Sequence, residues 1–78
     1  MYTDAMRRAF KYLEPTAPKG FRLEIIDHEN FLTVKAAESM FLNLGHQEKI
    51  EAVQYMISVK KALEMEGAIV LLTRDGSK

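Results

Sequence analysis

With 78 residues and no cysteine, the chain predicts one small domain, residues 1–78, held by packing alone; neither a disulfide framework nor a thiolate zinc site can be built. Eleven basic groups balance eleven acidic ones, so bulk charge implies neither a polyanion nor a membrane surface as partner. The longest uninterrupted aliphatic run, Ala68 to Leu72, is too short to span a bilayer. The N-terminus lacks the apolar stretch of a signal peptide, and Asp4 argues against a transit peptide, so a cytoplasmic or otherwise intracellular location is expected.

Thr3 is placed to cap a first helix, with Asp4 where the helix dipole favours an anion. Met6, Ala9, Phe10 and Leu13 then form one apolar stripe at helical spacing. Pro15, Pro18 and Gly20 end that helix in a loop. "FRLEIID" (21–27) and "FLTVKA" (31–36) have the alternation and β-branched content of strands. His28-Glu29-Asn30 between them has hairpin length, with Asn30 tolerating a left-handed backbone. Residues 37–44 read as one or two helical turns or an irregular turn, capped at the C-terminal end by Gly45. From residue 47 to 66 the composition favours a long helix, with Gly67 as its terminator.

"AIVLLTR" (68–74) predicts a last strand, apolar enough at Ile69 to Leu72 to be buried on both faces; residues 75–78 are expected to fray. The fold class that follows is α+β, in the order α-β-β-(short α)-α-β. It has a three-stranded mixed sheet with helices packed on one face, and the last strand is expected beside the first, where it is least exposed.

Chemistry-bearing patterns are sparse. Asp27-His28-Glu29 offers successive metal-ligating types, but no second cluster with ligand spacing accompanies it, so no metal or cofactor is expected. No nucleophile–base set is suggested and no enzyme is expected. Gly45-His46-Gln47 precedes two carboxylates, Glu48 and Glu51, which oppose a phosphate at that helix start. It reads as a hinge.

The long helix carries more apolar surface than one contact needs: its apolar arc spans roughly 240°, against the ~100° of an ordinary surface helix. Tyr55, Val59, Ala62 and Met65 are the expected face for a protein partner or for a second copy of the chain. That makes a non-catalytic binding domain the first functional reading.

The second reading is single-stranded nucleic-acid binding. Residues 1–22 carry five basic and two acidic groups, and residues 23–51 two basic and six acidic. The plain expectation is that such charges attract one another within the fold. Alternatively Arg7, Arg8, Lys11, Lys19 and Arg22 form a basic patch, with Tyr12 and Phe21 as stacking faces. The element order is similar to one KH-type arrangement, in which a G-x-x-G loop between two helices clamps the nucleic-acid backbone. This chain has Gly45-His46-Gln47-Glu48 there, so the likeness is one of layout, and the basic first helix would have to do the binding.

Overall fold

The computed structural model describes residues 1–75 of the chain. Helix α1 (Asp4–Leu13) begins as its residues dictate: the Met6 N–H donates to Thr3 Oγ1 at 3.2 Å, and Asp4 lies in the first turn. Pro15 cannot donate to a further helical turn, and the chain tightens into a 3-10 turn, Glu14–Thr16. Strands β1 (Leu23–Asp27) and β2 (Leu32–Ala37) form the expected hairpin. They pair antiparallel with Ile25 opposite Val34, and the His28 N–H closes the turn on the Phe31 carbonyl at 2.9 Å. Only glycines take positive φ among the described residues, so Asn30 does not use the left-handed backbone anticipated for it.

The segment left open between helix and turn is a five-residue helix, α2 (Glu38–Leu42). Gly45 does not end it in a left-handed cap. At φ −70° it is extended and serves as the N-cap of α3 (His46–Met65). The Glu48 carboxylate folds back over it, into the space a side chain on residue 45 would take. Gly67, at φ 99°, does end α3 as expected: the Gly67 N–H donates to Glu64 and the Ala68 N–H to Leu63. A side chain there would strain the backbone.

Strand β3 (Val70–Asp75) is where the sequence misleads. The sheet order is β1-β2-β3, with β3 parallel to β2 and Leu32 opposite Val70. It lies beside β2, not beside β1. A helical crossover leaving β2 returns most directly to β2's own free edge, and that adjacency outweighs the preference for hiding an apolar strand. The expected burial on both faces fails with it. Only Ala68 and Val70 are buried, while Ile69, Leu71 and Leu72 are 65%, 53% and 42% exposed. Asp75, assigned above to the tail, belongs to the strand; the expected fraying of 76–78 lies outside the described residues.

α1 and α3 pack against one another and cover one face of the sheet. Between the layers lie Met6 from α1, Leu23 from β1, Leu32, Val34 and Ala36 from β2, Ala52, Tyr55, Val59 and Leu63 from α3, and Val70 from β3. Each large side chain buried there contributes about 1.5–3 kcal/mol. The thin axis of the molecule, 14 Å against 33 and 29 Å, holds just these two layers. The opposite face of the sheet carries Ile26, Thr33 and Leu71 in one row and Glu24, Lys35 and Thr73 in the next.

Candidate protein-interaction site

A helix laid on a sheet ordinarily has one apolar face, and α1 has that pattern: Met6 faces the core while Arg7, Arg8, Lys11 and Tyr12 are exposed. α3 departs from it. Its buried residues, Ala52, Tyr55, Val59 and Leu63, form one stripe. Ile50, Val53 and Ile57 form another, 41%, 41% and 44% exposed. At 100° per residue the two stripes stand roughly 150° apart, so no single neighbour covers both.

This corrects the sequence reading of the interface. Tyr55 and Val59, at 3% and 0% exposure, belong to the core, facing the sheet and α1. Ala62 is half-buried and Met65 exposed near the helix end, so the four do not form a surface. Surplus apolar surface on α3 exists, as expected, but on the opposite side. With an arc so wide, spacing alone could not say which part meets the sheet. The phase is set by Tyr55, whose ring meets Phe21 edge-on at 6.3 Å. Burial, reinforced by the nearby Glu14 and Tyr2, pushes its phenol up to about 12.

Around the exposed stripe, Phe41 of α2 and His46, Lys49, Ile50, Val53 and Gln54 of α3 line a shallow, mainly apolar depression of about 390 Å³. Lys49 at its border and Lys61, one turn beyond Ile57, form no ion pair among the described residues. Lys60 is tied to Glu64 at 2.6 Å. The rim is therefore cationic. A second depression, about 330 Å³, lies between Arg22, Leu23, Glu24, Lys35, Ala37 and Met40. Its lining mixes both signs of charge.

The basic patch is only partly assembled. Arg7, Arg8, Lys11, Lys19 and Arg22 are all exposed, and the Arg7 guanidinium lies 5.0 Å above the Tyr2 ring. Arg22, however, has the strand parity of Glu24 and Ile26, the sheet side away from α1. Phe21 is buried between Phe41 and Tyr55, which removes it as a stacking face. No ion pair among the described residues joins the α1 cations to the acidic middle of the chain, although the Met1 amine pairs with Asp27 of that stretch.

In the hairpin, Asp27 receives the Met1 amine at 2.8 Å and the Tyr2 N–H at 3.0 Å, which hold its carboxyl below the usual range. His28 stacks on Phe31 at 4.2 Å and meets Thr33 Oγ1 through Nε2 at 2.9 Å. Asp27 is thus engaged by the N-terminus and His28 within the hairpin, and no group of three or more potential ligands is gathered for a metal ion among the described residues. Nor, among them, is any helix long and apolar enough to cross a membrane.

Fold and surface together define the class: a two-layer α+β domain with an exposed apolar stripe on its longest helix. In comparisons with known proteins, the chain matches no family model, no curated sequence and no solved structure.

Proposed function

We propose that the chain is a non-catalytic protein-interaction domain, and that the outer stripe of α3 receives an amphipathic helical segment with acidic flanks. The observation that supports this is the pair of opposed apolar stripes on one helix. The inner one is consumed by the core, and the outer one leaves Ile50, Val53 and Ile57 in water beside Phe41. Contiguous apolar surface of this kind marks interaction sites, and a groove beside a helix suits anchors spaced i, i+3, i+4 and i+7. The border cations Lys49 and Lys61 supply the charge preference.

The test uses a synthetic peptide of about 18 residues with leucines at helical spacing and glutamates flanking them, compared with the same peptide carrying lysines. The glutamate peptide is expected to shift the NMR signals of Ile50, Val53 and Ile57, with affinity falling as salt is added. Ile57→Asp should weaken binding at least ~10-fold, about 1.4 kcal/mol, without altering the melting temperature appreciably. Equal binding of both peptides, or shifts confined to other residues, would refute the reading.

One observation favours the nucleic-acid reading as the alternative: Arg8 and Lys11 are exposed, have no acidic partner among the described residues, and flank Tyr12, which is 83% exposed. If that face binds single-stranded DNA or RNA, affinity should fall steeply with salt. Arg8→Glu with Lys11→Glu should then abolish binding while leaving the peptide site intact. Absence of binding at low salt removes this alternative.

A further inference from the structure

Backbone hydrogen bonding on β3 bears on assembly independently of α3. The Leu32 N–H donates to the Ile69 carbonyl at 2.8 Å, which fixes the phase of the parallel ladder. Odd-numbered residues of β3 turn their N–H and C=O groups to β2. Val70, Leu72 and Arg74 turn theirs to the free edge of the sheet.

Among the described residues, the strand has none of the usual protection at an edge. Val70–Asp75 contains no proline, no glycine and no lysine, and its charges come only at the last two positions. β1, the other edge strand, is met at its end by residues 1 and 2, through the contacts of the Met1 amine and the Tyr2 N–H with Asp27. Exposed apolar side chains lie on both faces at this edge: Leu71 of β3 and Ile69 just before it on the open side of the sheet, Leu72 on the helix side.

We propose that β3 pairs antiparallel with β3 of a second copy of the chain, about a two-fold axis through Leu72, joining the two sheets into one. A second copy fits because the free groups match themselves. With Leu72 opposite Leu72 of the second copy, Val70 faces Arg74 and Arg74 faces Val70, and each facing pair exchanges two N–H···O=C bonds. No like charges meet in this register, since each Arg74 lies opposite a valine. The two Leu72 side chains, left half-uncovered at the margin of the helix layer, come together on the axis. The interface is isologous and closed, so it yields a dimer and not a fibre.

The experiment follows mass by analytical ultracentrifugation from about 10 μM to about 1 mM, the range in which a small interface assembles. Amide hydrogen exchange is read by NMR at both ends of that range. Mass should rise toward two chains, and exchange at Val70, Leu72 and Arg74 should slow at least tenfold with concentration, while the side-chain signals of Ile50, Val53 and Ile57 stay in place.

Leu72→Pro removes an N–H that the β2–β3 ladder does not use. It should leave a folded single chain at the highest concentration. Leu71→Pro removes one that the ladder needs and should destabilise the chain itself. Should Leu72→Pro fail to fold, the exchange pattern of the unaltered protein decides alone. A mass of one chain at 1 mM overturns the proposal, as does a dimer in which these three amides exchange equally at both concentrations. So does a dimer that perturbs the α3 stripe instead, and none of these outcomes depends on the peptide experiment.

Discussion

Val59→Asp is expected to leave the chain unfolded at 25 °C, whereas Val53→Asp, the same change six residues earlier on the same helix, is expected to fold normally. Val59 is fully enclosed in the cluster that also holds Leu32, Val34 and Leu63. An aspartate there loses about 1.5–3 kcal/mol of apolar burial. It also places a carboxylate where the core, among the described residues, offers no buried charged partner, a situation that costs about 3–5 kcal/mol. Against a total stability on the order of 4–12 kcal/mol for a chain of this size, the native state loses most or all of its margin.

At position 53 the side chain is in water, valine and aspartate have similar helix propensities, and the change should stay within about 0.5 kcal/mol. Far-UV circular dichroism and urea titration of the two variants decide the matter. If Val59→Asp folded with native stability and Val53→Asp did not, α3 would have to be rotated by nearly half a turn about its axis.

That pair also shows where the sequence could be read and where it could not. The ends of α1, the β1–β2 hairpin, the glycine at the end of α3 and the order of elements all rest on local chemistry: a threonine cap, alternating strand residues, a position that needs positive φ. Such signals are carried by a few adjacent residues, and they survive folding unchanged. The rotation of α3 about its axis is different. Apolar residues occupy most of its circumference, so the side that meets the sheet is decided by partners distant in sequence, notably Phe21 and the β2 residues Leu32 and Val34. Strand order is nonlocal in the same way. The run Ile69–Leu72 reads as a buried strand because mean hydropathy cannot distinguish an interior strand from an exposed apolar edge. The candidate surfaces follow from those two facts, so they become visible only once the helix phase and the strand order are known.

Phe21→Ala should be the second most damaging of the single changes considered, at about 3–5 kcal/mol, although residue 21 lies in a loop between α1 and β1. Its ring is 3% exposed and meets two others edge-on, Phe41 at 68° and Tyr55 at 80°, both with centroids 6.3 Å away. Contacts of this geometry add about 0.5–1.5 kcal/mol apiece beyond area burial. They connect three segments, namely the loop before β1, helix α2 and the middle of α3, so truncation at one ring loosens all three. Phe41 also borders the outer depression on α3, which links the integrity of the core to the shape of the proposed docking surface. The mutation should therefore lower the urea midpoint and also weaken the glutamate-peptide interaction, while Tyr12→Ala, at an exposed position on α1, should change neither by a measurable amount. If Phe21→Ala proved harmless to stability, the three-ring cluster could not be what holds α2 against α3. The depression beside Ile50 and Val53 would then need another support.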